Sequence, residues 1–133
     1  MVSNRLKSVA LGLVMSLTAG SSFATGSISC GGADNDISVR MTLGAGPVPN
    51  VFQAEVAQGD VVYSTNDAER PAAIARSFID EQSIVMDMMD DQATTHVAEV
   101  RVLRVLSDEG ESLQIGYARL KDMPPVAIFC DGP

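Results

Sequence analysis

The side chains best equipped for chemistry in this sequence are one histidine, a methionine-rich run and two cysteines. His96 is the sole histidine. It stands beside Thr94 and Thr95, and a Ser-His-Asp relay around it would need a serine raised on a glycine-flanked turn, which no serine here has. The pattern is that of a turn or surface histidine, so no catalytic residue is assigned and the chain is read as a non-enzyme. Met86, Met88 and Met89, with Asp87 and His96, are the soft ligand types that would suit copper in an exported protein. Met86 and Met88 point the same way along an extended segment, but so does Ile84, and methionine is an ordinary filler of cores. Met86, Met88 and His96 stay copper candidates only; no metal site is assigned and no cofactor is expected. Asp87, Asp90 and Asp91 lack the DxDxDG spacing of a calcium loop, and the glycine- and proline-containing stretch 44–50 lacks the lysine of a phosphate loop.

Cys30 and Cys130 are the only cysteines. No CxxC spacing accompanies them, so the simplest expectation is one disulfide in an oxidising compartment, with the first and last strands as neighbours. The N-terminus supports export. Arg5 and Lys7 precede an apolar run over 9–19 and a small-residue stretch ending Ser22-Phe23-Ala24, the order of a secretory signal with a small-x-small cleavage site. That apolar run is too short to span a bilayer. Residues 1–24 are therefore read as a signal peptide, and 25–133 as a single β-domain of periplasmic or secreted location. The run Ser27-Ile28-Ser29 before Cys30 is not that of a lipoprotein, so no membrane anchor is expected in the mature form.

The whole chain carries 9 basic and 17 acidic residues. Loss of Arg5 and Lys7 leaves seven basic against 17 acidic, a formal balance of −10. Nucleic acid and anionic membrane are disfavoured by that field, which would instead attract a cationic protein or peptide.

The backbone around these residues reads as extended. In 97–120 the residues Ala98, Val100 and Val102 alternate with Glu99 and Arg101. Leu113, Ile115 and Tyr117 alternate with Ser112, Gln114 and Gly116, and a turn at Ser107-Asp108-Glu109-Gly110-Glu111 joins the two runs into a hairpin. Ile37, Val39, Met41 and Leu43 keep the same period, as do Phe52, Ala54 and Val56, with Gln58-Gly59-Asp60 turning into 61–65. Leu103–Leu106 and 118–120 break the alternation, which predicts a bulge or a strand covered on both faces. The stretch 72–79 could form one short helix, although the hairpin habit of the chain favours a strand. Strand-like segments recur every eight to twelve residues. They predict an all-β fold, a small antiparallel sandwich or barrel of about eight strands, with Phe52, Tyr63, Phe78, Tyr117 and Phe129 all in phases that can be buried.

The functional expectation is a small exported acidic binding protein. A narrower form of it is an inhibitor of a basic secreted enzyme such as a lysozyme, and a different class is a periplasmic copper-binding protein.

Overall fold

The computed structural model describes residues 26–133; the expected signal peptide, 1–24, lies outside the described residues. The described residues form nine strands in one antiparallel sheet: β1 (Ser27–Gly31), β2 (Ile37–Leu43), β3 (Val51–Gln58), β4 (Val61–Ser64), β5 (Ala73–Ile79), β6 (Ser83–Met89), β7 (His96–Leu106), β8 (Ser112–Leu120) and β9 (Val126–Asp131). The order across the sheet is β4-β3-β2-β1-β9-β8-β7-β6-β5. Two meanders, β1–β4 and β5–β9, thus meet along β1 and β9. The segment 72–79 is a strand, as the hairpin pattern favoured, and not a helix.

Alternation explains the inner face. Ile28, Val39, Met41, Val56, Ile84, Met86, Met88, Val100, Ala118, Leu120 and Ile128 are all essentially without solvent contact and belong to a single core. Each such side chain stabilises by about 1.5–3 kcal/mol relative to an exposed one. The sheet must curl to bring both meanders around this core, and it does so as a half-barrel. Every hydrogen-bonded neighbour is antiparallel, so the two edge strands, β4 and β5, run in the same direction and cannot join as a hairpin. Instead β5 approaches β3, and the Ala72 N–H donates to the Ser64 carbonyl at 2.9 Å. The edges are blunted by brevity, β4 having 4 residues, and by an irregularity in β5 between Ile74 and Arg76.

The meeting line of the meanders is short. Ser29 pairs with Asp131, Cys30 with Cys130 and Gly31 with Phe129. Cys30 and Cys130 lie directly opposite, with Cα atoms 4.0 Å apart, and are joined as the disulfide expected from the sequence. At the turn of β3 into β4, Gly59 takes φ 58°, the left-handed value that the first position of a two-residue hairpin turn demands.

Three sequence expectations need correction. The apolar alternation of β8 faces outward: Leu113, Ile115 and Tyr117 are exposed, while Gln114, Gly116, Ala118 and Leu120 point inward. The reason is register. Ala98, Val100 and Val102 face the core, and directly opposite residues share a face, so Leu120, Ala118 and Gly116 must follow them. Most of the aromatics are likewise outside, with Phe52, Phe78, Tyr117 and Phe129 between 37% and 52% exposed and only Tyr63 packed on the core. Phe52 is turned out by a register shift between Thr42 and Leu43, opposite its end of β3. Finally, the β7–β8 ladder has no bulge from Ala98↔Leu120 to Leu106↔Ser112. Leu103–Leu106 break the polar alternation because the hairpin tip runs beyond its neighbours, β6 ending its pairing at Ser83↔Leu103 and β9 at Ile115↔Phe129.

Gly116 is where β7 and β8 approach most closely. A Cβ there would overlap the carbonyl group of Arg101 and approach the Val102 Cα to 2.7 Å, and backbone atoms in a central ladder have little room to yield. Gly116→Ala is expected to cost at least about 2 kcal/mol, in the overpacking range, by urea unfolding. Gly46→Ala, in the exposed loop, should change stability by less than about 0.5 kcal/mol.

Candidate functional site: a two-part outer face on β5–β9

The convex face of β5–β9 is divided across its strands. Along β7 the outward residues are Glu99, Arg101, Leu103 and Val105, and along β8 they are Arg119, Tyr117, Ile115 and Leu113. One half is charged and the other apolar.

In the charged half, register places Arg76 opposite Asp87, Asp87 opposite Glu99, and Glu99 opposite Arg119. The Asp87 carboxylate accepts from Arg76 Nε at 2.8 Å and from Arg101 Nη2 at 2.7 Å. Its side chain is only 8% exposed, although it points away from the core, because the two guanidinium groups cover it. Arg101 Nη1 also donates to the Met86 and Val100 carbonyls, which fixes that side chain across two strands. Glu99 Oε1 takes Arg119 Nη2 at 2.9 Å. Burial pushes the Asp87 carboxyl up, but the hydrogen bonds and charges of Arg101 and then Arg76 outweigh it and hold it below its ordinary value.

Over this ladder lies a cleft of about 650 Å³, lined by Arg76, Arg101, Arg119, Lys121, Asp87 and Glu99 together with His96, Asp122, Met123 and the Val97, Ala98 and Leu120 positions. Lys121 forms no salt bridge among the described residues.

In the apolar half, Leu103, Ile115 and Phe129 form a direct cross-strand row, and Val105 faces Leu113 one step further along. All five are exposed, between 36% and 55%. The turns at this end add Asp80, Glu81, Asp108, Glu109 and Glu111, and β9 ends at Asp131, all exposed. Arg104, between Leu103 and Val105 in the chain, is turned to the chain itself, donating to the Asp80 carbonyl at 2.9 Å and to Pro133 O at 2.7 Å.

The copper candidates are separated by the sheet. Met86 and Met88 are wholly buried on the inner face, while His96 is exposed at the start of β7, opposite Met89 and next to a register shift. The two thioethers act as core packing, closed to solvent. Among the described residues no three or more His, Cys, Asp or Glu side chains gather as a metal site. Asp67, Asp80 and Asp90 instead cap turns. Asp80 Oδ1 accepts from the Gln82 and Ser83 amides, which hold its carboxyl below the ordinary value. Asp90 does the same chiefly with the Thr94 amide, and Asp67 with those of Arg70 and Glu69.

Sequence reasoning missed the ladder of Arg76, Asp87, Arg101, Glu99 and Arg119. The signal was available in the hairpin turn: pairing Ser107 with Glu111 and stepping outward brings Glu99 opposite Arg119 and Leu103 opposite Ile115. No family model, curated protein or solved structure matches this chain.

Asp87→Asn is expected to destabilise the protein by about 2 kcal/mol at pH 7, the worth of a hydrogen bond to a charged group. Because the folded-state pKa lies below the unfolded one, the ionised carboxylate stabilises fully above its ordinary value near 3.8 and progressively less as the pH falls through the folded value. The gap between wild type and Asp87→Asn in urea unfolding should therefore shrink below pH 4. A gap unchanged at pH 3 would contradict this assignment.

Proposed function

We propose that this protein is an exported, non-enzymatic interaction protein that docks a cationic protein partner on the apolar half of its outer face. The observation that carries this reading is the row Leu103, Ile115 and Phe129, exposed and flanked by six carboxylates from Asp80, Glu81, Asp108, Glu109, Glu111 and Asp131. Contiguous apolar surface rimmed by polar groups is how docking sites are built, since covering each such side chain is favourable by about 1.5–3 kcal/mol before the costs of association. The charge selects the partner. A second copy would bring the same carboxylates face to face, and an anionic lipid surface would meet the same repulsion, whereas a basic protein gains steering as well as contact. The disulfide is consistent with an oxidising compartment. Export is supported by the signal-like order of residues 1–24. A basic secreted enzyme such as a lysozyme has the required chemistry, which makes inhibition a specific form of the same reading.

The test uses calorimetry with the disulfide-bonded protein and three probes: a lysozyme, an amphipathic peptide of alternating Lys and Leu, and the same peptide with Ser for Lys. Binding of the cationic probes should weaken several-fold between 50 and 300 mM salt, both being about the range over which screening acts. Ile115→Ser and Leu103→Ser should weaken it about tenfold or more at a loss of stability of about 1 kcal/mol or less, the worth of the cross-strand contacts each gives up on the outer face. Equal binding of the neutral peptide, or insensitivity to both substitutions, would overturn the reading.

A further inference from the structure

The apolar half does not account for the cleft at the other end of the face. Of the seven basic residues in 26–133, Arg76, Arg101, Arg119 and Lys121 line this one concavity, against three carboxylates, Asp87, Glu99 and Asp122. In a region of balance −10, it is a local reversal of sign. A ladder that served sheet stability alone would need no more than charge balance across the strands.

The cations also differ in how far they are occupied. Arg101 is tied to Asp87 through Nη2 and to two carbonyls through Nη1, and Arg76 grips Asp87 through Nε and Nη2. Arg119 uses Nη2 alone, on Glu99, and its side chain is 53% exposed. A guanidinium has five donors, so Arg119 keeps a free edge suited to a planar two-oxygen acceptor. Lys121 is exposed beside it, two residues further along the chain, and makes no salt bridge among the described residues. Half-buried Met123 supplies an apolar wall to the same cleft, packed against the core. The cleft, about 650 Å³, is half open to solvent, room for a small ligand to lie along it.

We propose that this cleft binds a small carboxylate with an apolar tail, its carboxylate held by Arg119 and Lys121 and its tail against Met123. A carboxylate with an apolar tail is preferred to a small phosphate because Met123 offers no donor to further ligand oxygens on that side, whereas an apolar tail gains by covering it. This site is independent of the docking row at Leu103, Ile115 and Phe129.

The test is an amide NMR titration of the disulfide-bonded protein with isovalerate, compared at equal ionic strength with chloride, with isovaleramide and with methyl phosphate. Isovalerate should produce saturable shifts confined to residues 96–98 and 119–123. Lys121→Gln, which removes no ion pair, and Arg119→Gln should each weaken binding about tenfold or more, the worth of one charge-assisted hydrogen bond. Met123→Ser should weaken isovalerate more than acetate. Shifts matched by chloride or by the neutral amide, affinity unchanged in Lys121→Gln, or tighter binding of methyl phosphate would each overturn the proposal. None of these outcomes bears on the peptide binding that Ile115→Ser reports.

Discussion

The fold depends on one crosslinked seam. Strands β1–β4 and β5–β9 are each a meander of local hairpins, and each could bury only part of its apolar face alone. What makes them one domain is the pairing of β1 with β9, short in backbone terms and fixed by the disulfide between directly opposed Cys30 and Cys130. The crosslink closes a sequence separation of 100 residues. In the chain-entropy account it can stabilise by up to about 4.7 kcal/mol, comparable with the whole stability of a small domain. Ile28 and Ile128, wholly buried on either side of the seam, then join the two apolar faces into a single core.

That curl also determines what the outside can do. The inner face takes the small and branched side chains, and Gly116 and Ala118 let β8 lie close to its neighbours. The outer face of the same strands is left to carry both a charged ladder and an apolar row. The ladder shields Asp87 between Arg76 and Arg101, which ties β5, β6 and β7 together from outside as the core does from inside. Beyond Arg101 and Tyr117 the ladder stops, and the projecting β7–β8 hairpin offers Leu103, Val105, Leu113 and Ile115 to solvent inside a rim of carboxylates. A face of this kind holds its shape without a partner and still has apolar surface to cover, which is the physical ground for reading the molecule as a binding protein.

Much of this architecture was legible in the alternation of residues. Ile37, Val39 and Met41 inward, the hairpin turn at 107–111 and the pairing of the terminal strands follow from periodicity, turn chemistry and cysteine count. The outer face was not, for a definite reason. Period two says that residues on a strand alternate, but not which set is inside; in β8 both sets contain apolar residues, and only the cross-strand register with β7 decides. Phe52 was hidden by another register shift, which single-strand patterns do not reveal. The charged site escaped because its members come from four strands, and Arg76 and Asp87 acquire meaning only once β5 lies beside β6.

Native-state hydrogen exchange on the oxidised protein and on the Cys30→Ala, Cys130→Ala double variant tests the seam most directly. The account predicts that removing the crosslink lowers the protection of amides in β2 and β3 together with those in β7 and β8, by an amount approaching the global loss of stability, because both meanders share one core. Full protection of both sets in the variant, or loss confined to β1 and β9 alone, would show that the two halves stand without the crosslink and would contradict it.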